Sequence, residues 1–138
     1  MGKTQNKNNL SKEDVNSFYN YLCIYETEIK QQYGQYNFEH SDFINFCSKN
    51  KIERKNRKSK LDNKFYFETF QIDKINDKAH HLLRHIRNSV AHGLVQKKGK
   101  NFILRDFNRN NKETMYGCIR VDLFWNFINE LIATRNKK

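Results

Sequence analysis

The sequence is poor in cysteine. Its three cysteines, Cys23, Cys47 and Cys118, are an odd number and include no C-x-x-C pair. This argues against a disulfide framework and a cysteine zinc site, and it fits a reducing compartment. No apolar run approaches the ~18–20 residues that a membrane-spanning helix needs. Residues 1–14 are polar and lack the apolar centre of a signal peptide. We therefore expect a soluble, cytoplasmic protein with no membrane contact.

Acidic residues are outnumbered: 15 aspartates and glutamates stand against 26 lysines and arginines, which gives a net charge of +11. A positive field of that size favours a polyanionic partner such as RNA or DNA. A biased genome composition also enriches Lys and Asn, so the charge alone is modest support. Apolar residues make up 37% and aromatic residues 14% of the 138 residues, which is enough to build one folded core.

Proline is absent and no internal repeat is visible, so the elements are inferred from the period of the apolar residues. Residues 11–33 form the first predicted helix, which begins at a capping box. A short second helix is predicted to begin at residue 41 or 42. The clearest helical pattern starts at residue 73 and ends at Gly93, a glycine suited to a left-handed cap. The last predicted helix covers residues 122–135.

Two short apolar runs, residues 102–104 and 116–119, flank the polar segment 108–113, and this pattern predicts a β-hairpin. Residues 97–100 are predicted to form a turn. Residues 65–72 are ambiguous, because their apolar positions fit a strand and a helix equally well.

These segments together predict a mainly α fold. We expect a helical bundle of three to five helices, with one short β-hairpin inserted before the last helix. Residues 11–136 are predicted to form a single domain that follows a flexible tail, residues 1–10.

One short motif carries candidate chemistry. The clearest helix ends in Arg87-Asn88-Ser89-Val90-Ala91-His92, and Gly93 follows directly. An Arg and a His at this spacing are weak support by themselves. Here, however, a polar Asn follows the Arg, and the His directly precedes the glycine that ends the helix. The stretch resembles the R-x(4–6)-H signature of the HEPN superfamily, in which Arg-Asn-x-x-x-His followed by Gly is a common form.

The resemblance implies a helix-rich domain with the motif in its second half. Many HEPN domains are metal-independent endoribonucleases of toxin, abortive-infection and other anti-phage systems, whereas others are catalytically silent. It implies catalytic roles for Arg87 and His92, with Asn88 as a supporting polar residue. It also implies a homodimer whose motifs face one cleft, and a toxin role leaves room for an antitoxin or regulatory partner. No metal and no cofactor are expected.

Elementary chemistry is compatible with these roles. A His side chain can act as base or acid near neutral pH, and the Arg fork matches phosphate oxygens. On a regular helix, Arg87 and His92 project about 140° apart and lie ~7.5 Å apart along the axis. One His cannot be base and acid at the same instant, and a two-fold axis would supply a second copy.

Basic residues outside the motif are candidates for binding RNA. Arg84 and His85 precede it, and His85 is expected to line the cleft beside Asn88 and His92 or to be exposed. A basic run could guide the RNA backbone, or could equally be a flexible charged loop. Its candidate residues are Arg54, Lys55, Arg57 and Lys58.

Other readings of the same residues remain open. His81 and His85 have the i, i+4 spacing of a zinc pair, but no H-E-x-x-H sequence or third ligand accompanies them. Ser89 near His92 lacks the partners of a hydrolase triad. The chain could be a non-catalytic HEPN module that binds RNA, a nucleotide or a protein. It could also be a helical adaptor in which Arg87 is solvated and His92 only interacts with the helix end.

Overall fold

A computed structural model describes residues 8–138. The predicted flexible tail, residues 1–10, therefore lies mostly outside the described residues. At Asn8 the chain already contacts the domain, because the Asn8 carbonyl accepts a hydrogen bond from the Lys97 amide at 2.8 Å.

The described residues contain four α-helices and one short 3-10 helix. They are α1 (Lys12–Thr27), the 3-10 helix (Ile29–Gln31), α2 (Ser41–Lys49), α3 (Lys78–Ala91) and α4 (Val121–Ile132). The capping box is confirmed: the Ser11 hydroxyl accepts from the Asp14 amide, and the Ser11 amide donates to the Asp14 carboxylate, both at 3.0 Å. The first helix nevertheless ends at Thr27, well before the predicted end at residue 33.

The same residues contain one five-stranded sheet. Its strands are β1 (Glu53–Arg54), β2 (Lys64–Phe67), β3 (Val95–Lys98), β4 (Asn101–Phe107) and β5 (Glu113–Arg120). Their order across the sheet is β1-β2-β5-β4-β3. The β1–β2 pair is parallel, and the other three pairs are antiparallel.

This sheet shows that the predicted mainly α bundle is wrong. Helices account for 41% and strands for 21%, so the chain has an α/β fold. The predicted hairpin is present as β4 and β5, but it forms the centre of a sheet instead of an insertion in a bundle. The ambiguous segment 65–72 begins in β2, which pairs with the distant β5. Such short strands depend on non-local pairing, which local periodicity does not record.

The core lies where the helices cover the central strands. Helices α3 and α4 both contact β4, and α1 contacts α3. Phe102 of β4 is fully buried, and its ring centroid lies 5.2 Å from that of Phe18 and 5.4 Å from that of Phe124. None of the helices within residues 8–138 has the length and apolar character needed to cross a membrane.

Helix α3 carries the sequence motif. It begins at Lys78 instead of residue 73, because the Asp77 carboxylate caps it by accepting from the His80 amide at 2.9 Å. The predicted left-handed end is confirmed by Gly93, which has φ +69°. The apolar side of α3 is buried together with His85 and Ser89, whereas Arg87, Asn88 and His92 remain at least partly exposed.

Candidate active site

A buried carboxylate anchors the last turns of α3. Asp106 lies on β4 and is only 3% exposed. Its Oδ2 atom lies 2.8 Å from His85 Nδ1 and accepts a hydrogen bond from Asn88 Nδ2 at 3.2 Å. Two side chains of α3 are thereby tied to one strand of the sheet.

These two partners stabilise the charged form of Asp106. Burial raises the pKa of the Asp106 carboxyl, but hydrogen bonds from His85 and Asn88, with attraction to His85, outweigh it and leave that pKa below its ordinary value. The other ring nitrogen of His85, Nε2, lies 2.8 Å from the Glu68 carbonyl, which can only accept. Both ring nitrogens of His85 therefore contact an oxygen of the protein, and the contact with Asp106 is a buried ion pair when His85 is protonated.

Asn88 connects this pair to Arg87. Arg87 Nη1 donates to Asn88 Oδ1 at 3.1 Å, while Arg87 Nε donates to Glu26 Oε2 of α1 at 3.0 Å. The Arg87 side chain is 34% exposed, so part of the guanidinium faces solvent. A chain of hydrogen bonds therefore runs from Asp106 through Asn88 to the Arg87 guanidinium, which is held in place but partly accessible to solvent.

His92 is exposed at the end of the same helix. It is the C-cap of α3, and its amide still donates to the Asn88 carbonyl at 3.0 Å. Helical geometry therefore persists through His92, and the side chains of Arg87 and His92 project about 140° apart. Within residues 8–138, the His92 ring has no hydrogen-bond or ion-pair partner, so it is free to meet a substrate.

A cleft of 410 Å³ opens beside the motif. Three predicted site residues line it together: Arg84, His85 and Asn88. Its other lining residues come from the segment after β2 and from the β4–β5 hairpin, and they are Glu68, Thr69, Phe70, Asp106, Phe107, Asn108 and Thr114. A space of this size is typical of a small-ligand site.

The basic run lies elsewhere. None of its four candidate residues lines this cleft in the described part of the chain. The Arg54 guanidinium lies 4.0 Å from the centroid of the Phe67 ring and donates to the Phe67 carbonyl at 3.0 Å. Lys55 pairs with Glu53 at 3.2 Å, and Lys58 pairs with Glu113 at 3.6 Å. Arg57 is exposed and has no ion pair within residues 8–138.

The residues of the alternative zinc and hydrolase sites make other contacts. His81 Nε2 lies 2.8 Å from the Phe70 carbonyl, and its Nδ1 faces Arg84 Nη2 at 3.4 Å, so both ring nitrogens have protein neighbours. In residues 8–138, no group of three or more His, Cys, Asp or Glu side chains is arranged to hold a metal ion. Ser89 is fully buried and accepts from the Arg105 amide at 3.1 Å, which fixes α3 to β4.

Sequence reasoning missed Asp106. A signal was present, because the buried positions of β4 alternate as Phe102, Leu104 and Asp106. An acidic residue in phase with two buried apolar residues indicates a paired carboxylate.

Comparison with known proteins gives one match. No curated protein and no solved structure matches the chain. The sequence profile of the family described as HEPN pEK499 p136 matches residues 3–137, nearly the whole length, and this confirms the HEPN resemblance. The chain belongs to the HEPN pEK499 p136 family.

Proposed function

We propose that the protein is a metal-independent endoribonuclease of HEPN type that acts in a toxin or anti-phage system in the cytoplasm. One observation carries the proposal: Arg87 is held at the surface by Asn88 and Glu26, and at the end of the same helix the exposed His92 ring has no partner among residues 8–138. Family membership supports the reaction class.

The reaction needs only the RNA and these side chains, with His92 present in two copies. The 2′-hydroxyl oxygen attacks the neighbouring phosphorus, the bond from phosphorus to the 5′-oxygen breaks, and a 2′,3′-cyclic phosphate and a free 5′-hydroxyl result. His92 moves the proton, as base or as acid. Arg87 binds the phosphate oxygens on which charge develops. Asn88 orients the guanidinium through its Oδ1 atom.

A homodimer completes this site. One His cannot serve both proton transfers at the same instant, and Arg87 projects away from His92 on its own helix. An apolar depression of 230 Å³ lies next to His92, lined in part by Val90, Gly93, Val15 and Tyr19. Val15 is 50% exposed and Tyr19 is 64% exposed. A second copy docked there buries this surface and brings the two motifs together.

The first test is cleavage of labelled single-stranded RNA in excess EDTA. We expect wild-type protein to cleave and to leave a 2′,3′-cyclic phosphate, whereas His92→Ala loses at least about 100-fold in rate, because it removes the proton-transferring group. Arg87→Ala should lose a similar factor, because it removes the phosphate contact.

Arg120→Ala is the matched control for Arg87→Ala. Arg120 is also a partly exposed arginine in an ion pair, with Asp122 at 3.1 Å. Its strand partner is Asn101, so it lies at the far end of the β4–β5 hairpin from Asp106. It should cleave like wild type. Cleavage by His92→Ala at the wild-type rate, with both proteins folded, would remove His92 from the mechanism.

A non-catalytic HEPN module is the second candidate, and the Arg87–Glu26 ion pair favours it. Because the Glu26 carboxylate lies 3.0 Å away, the charge of Arg87 is already balanced without a bound phosphate. This candidate predicts binding of RNA, a nucleotide or a partner such as an antitoxin. It predicts no EDTA-resistant cleavage by wild-type protein.

A further inference from the structure

The cleft beside the motif has an exposed aromatic wall. Phe70 is 54% exposed and lines the cleft together with Phe107. Its ring centroid lies 4.4 Å from that of His81, which holds one side of the ring in place. The Arg84 guanidinium lies 5.7 Å from the ring centroid. A supported aromatic ring with exposed surface can stack against another flat ring.

Arg84 is a cation without an acidic partner. Arg87, Arg105 and Arg120 all pair with carboxylates. Arg84 is half-buried in the cleft wall and has no ion pair within residues 8–138, where its hydrogen-bond neighbour is His81 Nδ1 at 3.4 Å. A guanidinium held in this way favours an anion, and its fork fits phosphate oxygens.

The hairpin side of the cleft offers a hydrogen-bond donor. Asn108 Oδ1 accepts from the Asn110 amide at 2.9 Å and from the Lys112 amide at 3.0 Å, which fixes the side chain. Its Nδ2 group has no acceptor within the described part of the chain. An amide of this kind can donate to a carbonyl at the edge of a base.

We propose that this cleft is a nucleobase subsite for an unpaired ribonucleotide next to the cleaved phosphate. The base stacks on Phe70, Arg84 binds the phosphate of the same nucleotide, and Asn108 donates to the base edge. Arg84 lies one helical turn before Arg87, so one strand can contact both. The proposal takes its ligand class from the proposed function and adds that the substrate must offer an unstacked base, as loops and single strands do.

Binding is measured without cleavage, with short 2′-O-methyl oligonucleotides that carry 2-aminopurine. These probes lack the attacking hydroxyl, so they stay intact. Wild-type protein should quench the 2-aminopurine fluorescence by stacking. Phe70→Leu, which keeps the apolar bulk but removes the aromatic face, should abolish this quenching and raise Kd about 5- to 150-fold. Phe70→Tyr should behave like wild type.

Leu61→Ala is the control for Phe70→Leu. Leu61 is 67% exposed and does not line the cleft, so its removal should leave both signals unchanged.

Salt dependence separates the role of Arg84 from that of Phe70. Arg84→Ala should lower the magnitude of the slope of log Kobs against log salt by about 0.7, the value for one phosphate contact on a single strand. Phe70→Leu should leave this slope unchanged. Arg135→Ala removes an arginine that also has no carboxylate partner within residues 8–138 but contacts Gln35 instead, and it should alter neither Kd nor the slope.

The outcomes are distinguishable from those of the cleavage test. If Phe70→Leu binds and quenches like wild type, the subsite is wrong, even where His92→Ala abolishes cleavage. If wild-type protein does not cleave RNA but the Phe70 and Arg84 effects are present, the subsite stands and the ribonuclease proposal fails.

Discussion

At the scale of single residues, the buried pair of His85 and Asp106 stands out because both side chains are almost inaccessible. The two are 3% and 4% exposed and only 2.8 Å apart. A buried charge is tolerated only when it is paired and hydrogen-bonded. Here Asn88 donates to Asp106, and the Glu68 carbonyl contacts the other ring nitrogen of His85. The pair thus fixes the α3 side of the cleft to the sheet.

Replacing Asp106 should reveal this dependence. Asp106→Asn replaces the buried carboxylate that contacts both His85 and Asn88 with a weaker acceptor, so we expect a loss of about 1–3 kcal/mol in the free energy of unfolding at pH 7. The pKa of Asp106 is lowered on folding, so its stabilising contribution is present above its ordinary value of 3.8 and is lost as pH falls below it. The difference between wild type and variant should therefore shrink from pH 7 to pH 3, as measured by urea unfolding.

Asp122→Asn is the control for that experiment. Asp122 also has a basic partner, Arg120, but its side chain is 65% exposed, so water replaces the partner and the stability should hardly change. Equal stability losses in the two variants would contradict a special role for the buried pair.

The residues of the candidate site could be predicted from sequence only where they are contiguous. Arg87, Asn88 and His92 stand in one short motif beside a glycine. Asp106 and Phe70 line the cleft with Asn88 but come from other segments, and only the packing of α3 on β4 and the path of the chain after β2 bring them there. Phe70 even carried a misleading signal, since its apolar character fitted an internal helix position.

At the scale of elements, the end of α3 controls where His92 lies. Gly93 has φ +69°, a conformation that is unfavourable for residues with a Cβ atom. Apart from its chain neighbours, no residue of the described range 8–138 has a heavy atom within 4 Å of a Cβ added there, so the limitation is the backbone and not space. Because α3 ends here, His92 is the last residue whose position the helix still fixes.

We expect Gly93→Ala to destabilise the protein by about 1–2 kcal/mol, since Ala disfavours the left-handed conformation. Cleavage should fall more than this destabilisation explains, because the end of the helix shifts under His92. Gly93→Asn should be milder in both respects, since Asn tolerates this conformation. Urea unfolding and cleavage rates measure the two effects.

Gly99→Ala provides a strained but remote comparison. Gly99 also has positive φ, +61°, and open space around it, but it lies in the turn between β3 and β4. It should lose a similar amount of stability and keep its cleavage rate. A matching loss of cleavage in Gly99→Ala would mean that general destabilisation explains the effect of Gly93→Ala.

The helices were more predictable than the sheet for a physical reason. A capping box and a terminal glycine act within a few residues, so Ser11 and Gly93 could be identified from their immediate neighbours. Strands β1 and β3 are 2 and 4 residues long. Strand β1 lies at the start of a basic run that resembles a solvated loop, and part of β3 was assigned to a turn. Neither strand was predicted, because strand pairing with distant residues decides both.

At the scale of the whole molecule, the proposed dimer makes a claim about mixed subunits. If each cleavage site needs His92 from both copies, an excess of inactive subunit should inhibit the wild-type subunits by forming mixed dimers with them. Wild-type protein refolded from urea with a tenfold excess of His92→Ala should keep only roughly a tenth of its activity, because most wild-type subunits then have an inactive partner.

The same excess of Arg120→Ala should not reduce activity. Sedimentation should give twice the chain mass of 16.7 kDa for each protein. Activity that is unaffected by the excess of His92→Ala would show that one subunit is sufficient for cleavage.

The ion pair between Arg87 and Glu26 joins the motif to a different helix. Because Glu26 lies near the end of α1, the position of the Arg87 guanidinium depends on how α1 sits against α3. In the proposed mechanism, a ligand that binds α1 and shifts it slightly would therefore change how Glu26 and an RNA phosphate compete for Arg87. Such a ligand would control cleavage without contacting the RNA.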